Sequence, residues 1–199
     1  CVEELANWMA PVEVDPTPLV DSRARIITEG RGIVLLFRPW NFPFALLFAP
    51  LVSSIAAGNC AMIKPNELAP NISKLAADII RDVFDEKDVA AFEGGVALAN
   101  EMLELPIDHV FFTGSPAVGT IVMAAAANHL APVTLEFGGK NPVIVDRTAD
   151  LQDAAEKIAV MRNINHGQVC LCPENIWVPQ EMASEFMAIV QDTFQSLYY

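Results

Sequence analysis

A glutamate beside two glycines, Glu136-Phe137-Gly138-Gly139-Lys140, is followed 34 residues later by a cysteine in the setting Gly167-Gln168-Val169-Cys170. Far upstream, Asn41 stands in Pro39-Trp40-Asn41-Phe42-Pro43. These residues are three different chemical tools. A thiolate attacks a carbonyl carbon, a carboxylate takes a proton from water, and an uncharged amide donates to an oxyanion. Each also has a plainer reading. A free cysteine is most often a small buried apolar residue, and a strand-end glutamate often serves only as an ion-pair partner. Cys172, two residues on, is a rival nucleophile. Trp40 reads as packing. Glu136 follows the apolar strand Val133-Thr134-Leu135, so partial burial is expected there.

Two further stretches suit an anionic ligand. Phe112-Thr113-Gly114-Ser115-Pro116-Ala117-Val118-Gly119 joins a strand to a helix. Gly114 permits a tight turn, Ser115 can cap the helix, and Pro116 suits its first position. Free N–H groups at that helix start favour a pyrophosphate. The spacing meets neither common nucleotide fingerprint, so a capped turn without a ligand is the competing reading. Lys64-Pro65-Asn66-Glu67 ends another strand. A lysine at the carboxyl end of a parallel strand points into the crevice where such sheets bind ligands. Glu67 can accept hydrogen bonds from ribose hydroxyls. The competing reading is a solvated turn.

The elements that must position these groups follow from periodicity. A short amphipathic helix, Val2–Met9, precedes a connector holding Pro11, Pro16 and Pro18. Two β-branched runs, 25–28 and 33–37, flank a Glu29-Gly30-Arg31-Gly32 turn, the pattern of a hairpin. Helices are predicted over 44–57, 69–83, 95–101, 116–128, 151–161 and 180–197. Strands are predicted over 60–63, 90–93, 109–113, 133–135, 142–145 and 175–178. Strands alternating with helices imply βαβ units and a parallel sheet covered on both faces. The domain boundary is placed at residues 146–150.

Residues 39–63 carry no charge, a run long enough for a membrane span. Asn41, Pro43, Pro50, Ser53, Ser54 and the Gly58-Asn59 pair interrupt it. The reading favoured is a buried helix, bent at Pro50, a glycine cap and a strand.

Composition narrows the function classes. The 199 residues are 53% hydrophobic and 19% charged, as in a globular domain. A net charge of −13 without a basic run argues against nucleic acid or an anionic membrane as partner. The four cysteines show no disulfide framework, and neither they nor His109, His129 and His166 show metal spacing, so no metal site is expected. With no signal peptide, a reducing cytoplasmic location is expected. The chain begins with Cys1 and stops within a predicted helix, so it reads as a fragment, expected to be inactive and poorly soluble alone.

Taken together, Pro-Trp-Asn-Phe-Pro at 39–43, Lys-Pro-x-Glu at 64–67, Phe-Thr-Gly-Ser-x-x-Val-Gly at 112–119, Glu-x-Gly-Gly-Lys at 136–140 and Gly-Gln-x-Cys at 167–170 resemble the aldehyde dehydrogenase superfamily. Their order and the Glu136–Cys170 interval are the family's. Phe111-Phe112-Thr113-Gly114-Ser115-Pro116-Ala117-Val118-Gly119 is most similar to the class-3-like branch, which includes coniferyl aldehyde dehydrogenases. Phe137 and His166 depart from the family's commoner residues.

The resemblance implies a truncated α/β fold. Residues 1–146 would be a Rossmann-like cofactor domain with its connector, and 147–199 the incomplete start of a catalytic domain. It implies Cys170 as nucleophile, Asn41 and the Cys170 N–H as oxyanion donors, and Glu136 as the base that hydrolyses a thioester. It implies cofactor contacts from Trp40, Lys64, Glu67, Thr113, Gly114, Ser115, Pro116, Ala117, Val118 and Gly119. NAD is favoured because Glu67 would repel a 2′-phosphate, though the branch often takes NADP too. The implied partners are a small aldehyde and, for the parent protein, a second copy in a homodimer. The alternatives are a CoA-acylating dehydrogenase, which Glu136 disfavours, and a non-catalytic nucleotide-binding fragment.

Overall fold

The computed structural model describes residues 2–17 and 21–198. Cys1 and the Pro18 of the expected connector lie outside them. The chain divides into two compact units, Cys1–Glu136 and Phe137–Tyr199.

The first unit opens with helix α1 (Leu5–Met9) and the strands β1 (Val12–Val14) and β2 (Ala24–Ile26). It continues through β3 (Ile33–Phe37), α2 (Ala45–Ala56), β4 (Cys60–Lys64), α3 (Pro70–Val83) and β5 (Val89–Ala91). Then follow α4 (Val96–Leu103), β6 (His109–Gly114), α5 (Pro116–Ala127) and β7 (Val133–Phe137). Five strands form one sheet in the order β5-β4-β3-β6-β7. β3 pairs parallel with β4 on one side and with β6 on the other, and β4 with β5. The chain thus builds outward from β3 to β5, returns to β6, and builds the other way.

The hairpin expected over 25–37 does not form. β2 pairs antiparallel with β1, with Val12 opposite Ile26 and Val14 opposite Ala24. The physical reason lies in β3, where Val34, Leu35, Leu36 and Phe37 are all buried. A strand apolar on both faces belongs in the middle of a covered parallel sheet, not at the edge of a hairpin. Its core partners are Leu47 and Leu51 of α2, Ile63 of β4 and Ile80 of α3.

The uncharged stretch 39–63 resolves into a loop, the 12-residue α2 and β4. No helix among the described residues is long and apolar enough to cross a membrane. Gly58, at φ 81°, ends the helix in the left-handed conformation that glycine adopts without steric cost. α2 continues through Pro50 as one helix.

In the second unit β8 (Pro142–Ile144) is followed by α6 (Leu151–Asn163), β9 (Asn175–Trp177) and α7 (Ala183–Tyr198). β8 pairs parallel with β9, Val143 opposite Ile176. Its core joins Val145, Ala155, Ile158 and Phe186. Asp150 caps α6 by accepting from the amides of Gln152 and Asp153 at 3.0 and 3.1 Å. The strand read at 142–145 therefore extends no part of the five-stranded sheet. The expected helix 180–197 is a short 3-10 turn, Gln180–Met182, leading into α7.

Candidate active site

In the first unit, three of the motifs fall at the carboxyl ends of three adjacent strands. β3 ends at Phe37 and leads through buried Arg38 and Pro39 to exposed Trp40 and half-buried Asn41. β4 ends at Lys64 and leads to Glu67. β6 ends at Gly114 and leads to Ser115 and α5. The strand order reverses between β3 and β6, and in open α/β sheets ligands bind outside the carboxyl strand ends at that reversal.

The loops after β3 and β4 are tied together. The Arg38 N–H donates to the Lys64 carbonyl, and the Asn66 side-chain amide donates to the Arg38 carbonyl, each at 3.2 Å. Lys64 is not in a solvated turn. It is 5% exposed, and its ammonium donates to Glu67 Oε2 at 2.9 Å and to the Pro65 carbonyl at 3.4 Å. That hydrogen bond, with one from backbone, holds the Glu67 carboxyl below its usual range. Glu67 itself is exposed, so the charge it presents is available to a ligand.

The β6–α5 turn has a floor of two aromatic rings. Phe37 and Phe112 are register partners on β3 and β6, and their rings meet edge-on at 6.4 Å. A side chain at Gly114 would place its Cβ 2.5 Å from the tip of Phe112, so only glycine fits over that ring. Ser115 caps α5, accepting from the Val118 amide at 3.3 Å, and Pro116 begins the helix. Ser115, Pro116, Ala117 and Val118 are exposed, Thr113 and Gly114 half-buried, and Gly119 buried.

Glu136 lies near the carboxyl end of β7. The expected partial burial is not found, and its side chain is exposed. β7 is the edge strand of the sheet, and Thr134 and Glu136 alternate outward from it with no covering layer.

In the second unit Cys170 sits half-buried in the loop between α6 and β9. The residues before it form a left-handed turn, with Asn165, His166 and Gly167 at φ 49°, 54° and 77°. Non-glycine residues in this region store strain that the surroundings must hold. Two side chains do so. Asn141 Nδ2 donates to the carbonyls of Cys170 and Cys172 at 2.7 and 3.0 Å. Arg162 Nη1 donates to the Cys172 sulfur at 3.1 Å and to the Pro173 carbonyl at 3.4 Å. Lys140 adds an ion pair with Glu174 at 2.7 Å.

The two thiols thus differ. Cys172 is 4% exposed and faces a guanidinium, whereas Cys170 reaches solvent. Asn141 and Arg162 went unremarked in the sequence. The signal for Asn141 was its place after Gly-Gly-Lys, where a short amide can fold back on a neighbouring loop.

A cavity of about 470 Å³ lies elsewhere in the first unit, between α2 and the β3–β6 face, lined in part by Ser54, Asn59, His109 and Phe111. None of the residues singled out for chemistry lines it.

The model of the aldehyde dehydrogenase family matches residues 1–199. The chain is 49% identical to a putative aldehyde dehydrogenase, AldX, of Bacillus subtilis, over 96% of this chain and 43% of that protein. The solved substrate-bound AldH of Staphylococcus aureus superposes with a TM-score of 0.95 at 42% identity, over 98% of this chain and 43% of that one. The AldC C291A variant of Pseudomonas syringae, solved with NAD+ and octanal, gives a TM-score of 0.80 at 31% identity, over 85% and 36%. Mammalian family 3 members and bacterial coniferyl aldehyde dehydrogenases are also among its relatives. The chain thus spans about two fifths of the length of the curated relatives it matches.

Proposed function

The chain belongs to the aldehyde dehydrogenase family, and from that premise we propose that its full-length protein oxidises a small aldehyde to a carboxylic acid with NAD(P). What most supports this reading is that the motifs of Asn41, Lys64 and Gly114–Ser115 converge on the carboxyl ends of β3, β4 and β6.

The residues fit a dinucleotide. The backbone at Gly114 carries no side chain, and the start of α5 offers N–H donors to a pyrophosphate. Trp40 and Thr113 to Gly119 border that position, and Lys64 with Glu67 would hold the adenosine ribose. The ionised Glu67 disfavours a 2′-phosphate, so NAD is the preferred form. When bound, the nicotinamide accepts a hydride from the aldehyde carbon.

Cys170 supplies the nucleophile. Its thiolate forms a bond to the aldehyde carbon, and the carbonyl electron pair moves to oxygen. The Asn41 amide and the Cys170 N–H donate to that oxyanion. Loss of hydride as the oxyanion collapses leaves a thioester on Cys170. Glu136 then takes a proton from water, the hydroxide adds to the thioester carbon, and the thiolate leaves with release of the acid.

The test is trapping in the full-length protein. A thiol alkylator is applied with and without aldehyde and NAD, and the adduct is mapped by mass spectrometry. Labelling at Cys170 that substrate blocks, with loss of dehydrogenase activity, is the expected result. Labelling confined to Cys172 or Cys60 with activity retained would remove the mechanism.

A further inference from the structure

Arg38 is 3% exposed, lies at the end of β3, and has no carboxylate partner among the described residues. Its guanidinium stacks 4.6 Å above the Phe111 ring and donates one hydrogen bond, from Nη1 to the carbonyl of Leu46 at 2.8 Å. Nε and Nη2 have no partner. Such a group is costly to bury, so the single bond it makes calls for a reason.

The reason is Pro50. Inside a helix each carbonyl accepts from the amide four residues on, and the donor for Leu46 would be residue 50. Proline has no amide hydrogen, and its ring presses against that same carbonyl. Leu46 O therefore loses its helical donor in the first turn of α2, and Arg38 supplies the replacement. The bond closes a clasp. One end is the last residue before Pro39-Trp40-Asn41, the other the first turn of the helix that follows Pro43. The backbone of Arg38 is held as well, through Lys64 O and the Asn66 side chain.

We propose that Arg38 is a positioning residue for the aldehyde site: by capturing the carbonyl that Pro50 leaves unbonded, it fixes both ends of the segment carrying Asn41. The inference rests on the reading of Asn41 as an oxyanion donor. An amide that must meet an oxyanion gains its effect only when held in place, and a displacement of about 1 Å costs about a hundredfold in rate.

The clasp makes a prediction that bulk loss of packing does not. Pro50→Ala restores an amide hydrogen to residue 50 and so a helical donor to Leu46 O. The full-length protein is compared as wild type, Arg38→Met, Pro50→Ala, Arg38→Met/Pro50→Ala and Asn41→Ala. The readouts are kcat and aldehyde KM, and amide hydrogen exchange over residues 39–49.

Arg38→Met is expected to speed exchange in that segment and to lower kcat at least tenfold, about the scale of a misplaced donor, with aldehyde KM little changed. Adding Pro50→Ala is expected to restore both. Loss of kcat without rescue by Pro50→Ala, or exchange unchanged by Arg38→Met, overturns the clasp. If Asn41→Ala costs activity and Arg38→Met does not, the positioning role alone fails. If Asn41→Ala keeps full kcat, the oxyanion role fails and takes the positioning role with it.

Discussion

The side-chain amide of Asn141 donates to the carbonyl of Cys170 at 2.7 Å, from a position 29 residues earlier in the chain. The same nitrogen reaches the carbonyl of Cys172 at 3.0 Å. One side chain therefore spans the backbone on both sides of Leu171 and sets the course of the loop that presents the thiol.

Asn141→Ala is expected to lower stability by about 1–3 kcal/mol, the sum of two ordinary hydrogen bonds, and to slow alkylation of Cys170. Asn141→Asp should be worse, because a carboxylate would face two carbonyl oxygens with no hydrogen to give. Denaturation midpoints and labelling rates on the full-length protein check both. An Asp variant as stable as wild type would show that the two bonds contribute nothing.

Glu136→Gln should leave thiol attack and hydride transfer intact and slow thioester hydrolysis. Stopped-flow absorbance should then record a burst of NADH of about one equivalent per site, followed by a steady rate reduced by about 10²–10⁴. Unchanged steady-state turnover would make another group the base.

Gly167→Ala should destabilise the Cys170 loop. The residue sits at φ 77°, and an added Cβ would come within 3.3 Å of the Arg162 guanidinium carbon. Left-handed backbone costs a non-glycine residue about 1–2 kcal/mol, and Arg162 would be pushed from the Cys172 sulfur. A thermal midpoint equal to wild type would contradict the strain. Hydrogen exchange around 165–172 would show whether the loop had opened locally.

His109 should make stability fall in mild acid. Its Nδ1 is buried without a partner, and Nε2 lies 3.0 Å from Thr134 Oγ1. Burial, and secondarily the Arg31 charge, hold its pKa below the usual 6.5. The unfolded chain therefore takes up a proton where the folded one does not. The contribution is fully present above about pH 6.5 and is lost as pH falls through the folded value. His109→Gln should flatten the decline of the denaturation midpoint between pH 7.5 and 5.5. An equal slope in the variant would assign that decline elsewhere.

Much of the fold was legible because its signals are local. The helices α3 and α5 and the strands β4 and β6 lie within a residue or two of their sequence positions, since periodicity and Ser115-Pro116 or Gly58-Asn59 punctuation act over one turn. Pairing was not legible. Nothing in residues 25–28 says that their partner is Val12–Val14, nor does Pro142–Ile144 announce Asn175–Trp177. Such choices depend on which faces must be covered.

The sequence by itself determined the family and the inventory of chemical groups. Five motifs in one order place a thiol, a carboxylate, an amide and an anion-binding turn in this chain whatever their surroundings. Tertiary structure alone decided how those groups are held. It buried Lys64 beside Glu67, left Glu136 on an exposed edge, tied Asn141 to the Cys170 loop and set Arg38 against the carbonyl that Pro50 releases. The physical reason is one of range. A side chain's chemistry belongs to its residue, but burial and hydrogen-bond partners come from segments many residues away, and only the folded chain brings these together.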